Sequence, residues 1–488
     1  MIFTSIKFVI FLTIFLLIYF ITPDKIKKFI VLIASYIFCA FWSFRSVLYL
    51  VTITIITYIA ARLICKKHKI RKIILFMTIS AIVICLLVLK YSNFIIDVVN
   101  NISFKIGFNQ TFNSINVIAP LGISFYTLQA IGYLIDVYRD ETALENNIIN
   151  YALFIAFFPL VSSGPIERSN NLLKQIKEKS KKPQYRDVTN AFIMILYGFF
   201  LKMVIADRLS ILVDNVYNNY YMYHSYELFI GAAAYSIQLY CDFCSYSIIA
   251  VGIAQAFGYK IIDNFDTPYF STSIKEFWRR WHISLSSWLR DYIYIPLGGS
   301  RCSKLKKYYN LMVTFLISGL WHGANWTFVV WGGIHGLYQV VGDFTHKLRE
   351  RLQKNVNKSC FSYKLGQIVI TNALVSFAWI FFRADSIKTA WSYVNRMVTR
   401  LNPWDIFSDS IYSLGLDRTE INIIFISLLF VLLVDAIKYK KKCNLAQVLE
   451  KQNLWFRWCV IFTLLFMIII FGEYGAMFDA KSFVYFQF

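Results

Sequence analysis

Charge is scarce in this chain. Only 16% of its 488 residues are Asp, Glu, Lys or Arg, against 58% hydrophobic, and the mean hydropathy is +0.53. A soluble protein of this length would divide into two or three domains with far more charge. Apolar stretches that alternate with period two are missing, which argues against a β-barrel. No Walker lysine loop, HExxH, GxSxG or DxD motif stands where chemistry could use it. An ATP-driven pump or a metalloprotease therefore has no support, and no metal is expected. The nine cysteines are scattered and give no disulfide framework. Cys241 and Cys244 form a CxxC inside the apolar run LYCDFCSY, without a partner pair, and read as two small residues on one helix face. Domain linkers, low-complexity tracts and internal repeats are also lacking.

What is present is a succession of apolar runs of roughly 15–25 residues, the length needed to cross a hydrocarbon core about 30 Å thick. The expected fold class is an all-α polytopic integral membrane protein. The first run, Ile2 to Ile21, has no basic stretch before it and no small-residue cleavage site after it, and reads as a retained helix. The net charge of +22 resides in short runs between apolar segments: Lys25–Lys28, Arg62–Lys72, Arg168–Arg186, Arg301–Lys307, Lys347–Lys364 and Lys438–Lys442. That is the positive-inside pattern, which signals topology. The same charge suits an anionic cytosolic partner, such as a nucleotide thioester, or anionic lipid. Nucleic acid is not expected, since no basic stripe with interleaved aromatics appears.

With the basic runs inside, both termini thread to the outside. A helix is expected from Ile73 to about Lys90, followed by a polar external stretch, Asn100 to Asn116. The segment Asn150–Ile166 has inside flanks and carries Pro159, Gly164 and Pro165, so it reads as a re-entrant piece facing a cavity. Ser162, Ser163, Gly164, Pro165 and Glu167 close it and line a tunnel or form a turn. Long helices follow over Val188–Tyr217 and Leu228–Gly258, with late helices at Ile421–Ile437 and Trp458–Phe471. Roughly ten to thirteen membrane-embedded segments result. They form a single membrane domain over residues 1–488, with N-terminal helices over 1–116, a core over 117–345 and C-terminal helices over 346–488.

Ser318 to Trp326 reads SGLWHGANW and sets His322, one of six histidines, in a long apolar segment. A histidine inside a membrane is costly, and it is the side chain best suited to proton transfer near neutral pH. It is expected at the tip of a hairpin running from Tyr308 to about Asp343, roughly 21 Å along a helix from the basic flank. Gly319 and Gly323 permit close backbone approach there. His335, thirteen residues on, is about 20 Å away along a helix and on another face, and reads as structural. Phe277 to Tyr294, FWRRWHISLSSWLRDYIY, reads as an interfacial amphipathic helix carrying Arg279, Arg280, His282, Arg290 and Asp291. Its arginines suit the phosphates of a cytosolic cofactor or, equally, lipid headgroups. Asp242, four residues after Gln238, is an intramembrane acid and a candidate in its own right.

Several stretches carry a resemblance. They are PLGISFYTLQAIGYLIDVYR from Pro120, FFPLVSSGPIER from Phe157 and FDTPYFSTSIKEFWRRWHISLSSWLRDYIYIPLGGSR from Phe265. SGLWHGANWTFVVWGGIHG from Ser318, FFRAD from Phe381 and the terminal FVYFQF follow. In this order and spacing the chain resembles the membrane-bound O-acyltransferase family, in its bacterial alginate O-acetyltransferase-like branch. The resemblance implies helices and re-entrant pieces around a central tunnel, with His322 as the essential membrane histidine and His282 as the second. Arg279, Trp281, Asp291, Trp321, Asn325, Asp242 and Gln238 are the expected tunnel residues. It implies acetyl-CoA or another acyl thioester as donor substrate, no tightly bound cofactor, and an extracytoplasmic acetyltransferase or glycan acceptor as partner. IPLGGSR and the helices around FFRAD favour polysaccharide O-acetylation over D-alanyl transfer to teichoic acid from a carrier protein. A non-catalytic transporter or scaffold is the alternative of another class, though the paired interruptions of a transporter are not seen. The family pattern DFSGYSDIA reads here DFCSYSIIA, so Cys244, Ser245 and Ile248 replace a serine, a glycine and a second acid.

Overall fold

The computed structural model describes residues 2–107, 111–115, 120–178 and 183–474, and every regular element among them is helical. The expected terminal FVYFQF and the C-terminus lie outside the described residues. Seven helices are long and apolar enough to cross a membrane: Phe44–Lys66, Arg71–Ile106, Tyr185–Asn218, Ser225–Ala256, Phe361–Arg383, Arg418–Lys441 and Leu454–Phe471. Ile6–Ile21 is a shorter apolar helix. This is a multi-pass membrane protein. The chain forms two compact units, one of Met1–Val188 with Ile253–Ile262, the other of Thr189–Gly252 with Asp263–Phe488.

In the first unit the helix Arg71–Ile106 runs well past the expected end at Lys90. The polar stretch stays helical because its side chains have work at their own level. Asn93 exchanges hydrogen bonds with the backbone of Ile115, and Asn100 with that of Phe112. The remainder of that stretch, 108–110 and 116–119, lies outside the described residues. The interrupted segment is broken as its prolines require. A helix Ile148–Ala156 turns at Phe157 into the short helix Phe158–Val161, then continues extended. Almost all of it is buried, so its backbone groups need protein partners. The Ser35 hydroxyl accepts from Phe158 N–H at 3.1 Å, and the Gln129 amide donates to Phe154 O at 2.6 Å. At its far end the buried carboxylate of Glu167 accepts from Ile262 N–H at 2.7 Å and from Asn171 at 2.8 Å. Glu167 thus ties down loop backbone.

In the second unit the expected hairpin is present, as the arms Lys304–His322 and Trp326–Phe344. Neither arm is among the seven apolar helices, because lysine, glycine, tyrosine and histidine dilute their aliphatic residues. Ser303 caps the first arm and Asn325 the second, each side chain accepting an otherwise orphaned N–H. The arms meet backbone to backbone. A Cβ at Gly319 would run into the carbonyl of Phe328, and one at Gly332 into the carbonyl of Phe315 and to 3.3 Å from Gly319 Cα. Only hydrogen fits between them, as in other close helix pairs.

The region 274–294 departs from expectation. It is not one amphipathic helix but two short ones, Ile274–Arg280 and Ile283–Leu289, followed by a π-helical turn Arg290–Tyr294. The break is at His282, whose φ of 43° lies in the left-handed region. Asn264 stabilises the restart, its carbonyl accepting from Ile283 N–H at 3.0 Å and its side chain from Ser284 N–H at 3.2 Å. The break turns His282 inward, where it is 1% exposed, instead of leaving it at an interface.

Replacing Gly332 by leucine is expected to force the hairpin arms apart. The midpoint of thermal unfolding in detergent should fall by the equivalent of about 1–3 kcal/mol, whereas Gly366→Leu, with open space around it, should leave it unchanged.

Candidate active site

The two candidate histidines come together through one indole. The ring of Trp321 lies 5.0 Å from that of His322 and 6.1 Å from that of His282, edge-on to both. His322 closes the first hairpin arm, is 4% exposed, and is boxed in by Trp331 at 5.0 Å and Phe382 at 5.4 Å. His282 packs edge-on to Phe243 at 4.7 Å. It lies outside the seven apolar helices, and burial drives its imidazole pKa down to about 3, so it stays neutral. Both histidines are therefore walled by aromatic rings, and an imidazole is the side chain best suited to proton transfer.

His335 belongs to this cluster, contrary to the distance argued from helix rise. Only a helix continuous through Gly323, Ala324 and Asn325 would hold His322 and His335 that far apart, and there the chain turns. The ring of Trp331 faces both histidines, 5.0 Å from His322 and 5.1 Å from His335. Trp278 Nε1–H donates to His335 Nδ1 at 3.2 Å. Phe382 of the FFRAD motif supplies another wall, and Arg383 beside it reaches Asp214 at 2.7 Å.

The intramembrane acid Asp242 has a partner that the sequence also contained. Lys202, a single cation in the apolar run FFLKMVIA, contacts Asp242 at 2.6 Å and Asp207 at 2.7 Å, and all three side chains are buried. A π-helical stretch, Phe200–Ala206, carries Lys202. Arg208 pairs with Glu473 at 2.7 Å, so charges within this long helix are matched rather than stranded. Gln238, one turn before Asp242, is buried with its Oε1 lacking a hydrogen-bond partner. Cys241 and Cys244 are free and buried on the same helix. Beside them Tyr240 donates to Asp435 at 2.9 Å.

Other expected site residues make different contacts. The Arg279 side chain is exposed, because the short helix before the break points it outward. The half-buried neighbour, Arg280, is engaged by Glu276 at 2.9 Å and Asp266 at 3.5 Å and lies over the Tyr439 ring. Trp281 is buried, but packs on Phe277, Phe265 and Trp379. Asp291 holds Arg290 at 2.8 Å. Asn325 is a helix cap whose amide also donates to Asp385 O at 2.9 Å. Among the described residues, His224, Glu227 and Asp405 form one group with ligand atoms within 4.8 Å of one another that could hold a metal ion, on elements other than those carrying the histidine cluster.

Comparison with known proteins gives one consistent picture. The model of the membrane-bound O-acyltransferase family matches residues 3–383. The chain is 37% identical to a probable alginate O-acetylase of Pseudomonas aeruginosa, over 81% of this chain and 75% of that one. It is 32% identical to a peptidoglycan O-acetyltransferase of Helicobacter pylori, over 75% of this chain and 72% of that one. A teichoic acid D-alanyltransferase of Bacillus subtilis is 30% identical over 48% of this chain and 62% of its own length.

Lys202→Met leaves two buried carboxylates without their cation, and should lower stability by about 3–5 kcal/mol, read as a fall in the detergent unfolding midpoint. Adding Asp207→Asn and Asp242→Asn should restore most of it. An unchanged midpoint in the single variant would mean the triad does not anchor these helices.

Proposed function

This chain belongs to the membrane-bound O-acyltransferase family, and from that premise we propose that it O-acetylates a polysaccharide outside the cytoplasm, taking the acetyl group from cytosolic acetyl-CoA. Its membership makes it an O-acyltransferase. The observation that carries the rest is that His322 and His282 both pack against the Trp321 ring, buried and walled by aromatic rings.

In this reading the acceptor hydroxyl gives its proton to His322 as its oxygen bonds to the thioester carbonyl carbon. The resulting tetrahedral centre collapses, the C–S bond breaks, and the sulfur leaves as a thiol with the proton that His322 held. His282, neutral and buried, borders the approach of the donor, with Trp321 as the wall between approach and reacting atoms. The aromatic enclosure keeps water from hydrolysing the thioester. With Arg279 exposed, its role is contact with donor phosphates or lipid headgroups at the membrane surface, away from the reacting carbon.

Acetyl transfer is favoured over D-alanyl transfer because the relatives named as O-acetylating enzymes align with three quarters or more of this chain, and the D-alanyltransferase with about half. The acceptor is a glycan hydroxyl or a serine of an extracytoplasmic partner acetyltransferase that hands the group on. The proposed location is the cytoplasmic membrane of a bacterium with both termini outside, so that the basic loops face the donor.

His322→Ala that still reaches the membrane is expected to abolish O-acetylation of surface glycans; normal acetylation in cells carrying only that variant would overturn the assignment. Membranes incubated with labelled acetyl-CoA should label the glycan fraction, and those given a labelled D-alanyl carrier protein should not. The reverse pattern would favour the teichoic acid reading.

A further inference from the structure

On the second hairpin arm, two buried N–H groups beside His322 find no acceptor among the described residues. Trp331 Nε1 and His335 Nε2 are buried and lack a hydrogen-bond partner among the described residues. An indole N–H can only donate. The imidazole's arrangement follows from its other nitrogen. Trp278 Nε1–H donates to His335 Nδ1, so Nδ1 carries no proton and the ring's single proton is on Nε2. Both atoms are therefore N–H groups in search of an oxygen.

Their placement gives that shortage a purpose. Trp331 and His335 are four residues apart on Trp326–Phe344, hence one turn apart on one face of the arm. Their rings are 5.1 Å apart, and the Trp331 ring lies 5.0 Å from His322. A buried donor carries a desolvation penalty that an oxygen acceptor relieves, and an aromatic face is a weaker substitute. Two such donors beside a base, with no acceptor among the described residues, suit a substrate oxygen that gains negative charge.

We propose that Trp331 and His335 hold the carbonyl oxygen of the acyl thioester beside His322 and stabilise the charge it acquires during transfer. The proposal rests on the acyl-transfer reading above. As the acceptor oxygen bonds to the carbonyl carbon, the C=O electron pair moves onto the carbonyl oxygen, and the two N–H groups receive it. The pair returns to re-form C=O as the C–S bond breaks.

The test uses purified full-length protein, labelled acetyl-CoA and a glycan acceptor. Trp331→Phe keeps a ring but loses the N–H. His335→Asn keeps an acceptor near Nδ1 for Trp278 and loses the Nε2 donor, whereas His335→Gln keeps a donor near Nε2 and loses the acceptor. Trp331→Phe and His335→Asn are expected to lower kcat roughly 100-fold or more, with KM for acetyl-CoA and the unfolding midpoint little changed, and His335→Gln to recover much of the rate. The opposite order, with His335→Asn active and His335→Gln inactive, would make His335 merely a prop for Trp278 and overturn the proposal. So would wild-type rates in Trp331→Phe and His335→Asn together. Failure of the wild-type protein to transfer any acyl label would instead bring down the acyl-transfer reading itself.

Discussion

The approach of the two hairpin arms at Gly319 and Gly332 is the constraint on which the site depends. With hydrogen in place of a side chain at each crossing, the arms lie in backbone contact. That contact sets Trp331, on the second arm, edge-on to His322 at the end of the first. A wider spacing would open the aromatic box to lipid or water and leave the histidine without a defined orientation. The remaining walls close on this pair: Phe382 from the helix that ends in FFRAD, and Trp321 from the arm itself, passing the contact on to His282.

A second constraint is electrostatic. A membrane protein that carries charge in its long helices must match it, since an unmatched buried ion costs several kcal/mol. Lys202 with Asp207 and Asp242, Arg208 with Glu473, and Arg383 with Asp214 do so within the same unit as the histidines. In the DFCSYSIIA stretch Asp242 is the member of this network, and Cys244 and Ser245 near it are buried small side chains. Asp242 thus reads as an anchor for the helices around the site, with its partner on the π-helical turn of Phe200–Ala206.

Much of this was legible in the chain. Long apolar runs announce the spanning helices, because hydrocarbon thickness imposes their length. Glycines on either side of a histidine announce a close-packed hairpin. What escaped depends on local geometry that no composition signal marks. The left-handed break at His282 has neither glycine nor proline to announce it, and it converts an apparent interfacial helix into a way of burying that histidine. Its consequence for Arg279, which faces outward, follows from the same break. His335 was misplaced because helix rise was counted across the turn Gly323–Asn325, where the chain reverses. Lys202 was visible as a lone cation in an apolar run, yet its pairing with Asp242 joins residues forty positions apart, a relation that periodicity does not carry.

Buried His322 is proposed to serve acyl transfer from one side of a membrane to the other. The most direct measurement places purified protein in vesicles, with labelled acetyl-CoA on the side of the basic loops and the glycan acceptor on the opposite side. Label is expected on the acceptor only when donor and acceptor are so arranged, and only while His322 is intact. Equal labelling with the two reagents exchanged, or with His322→Ala in place of the wild type, would rule out transfer across the membrane through His322.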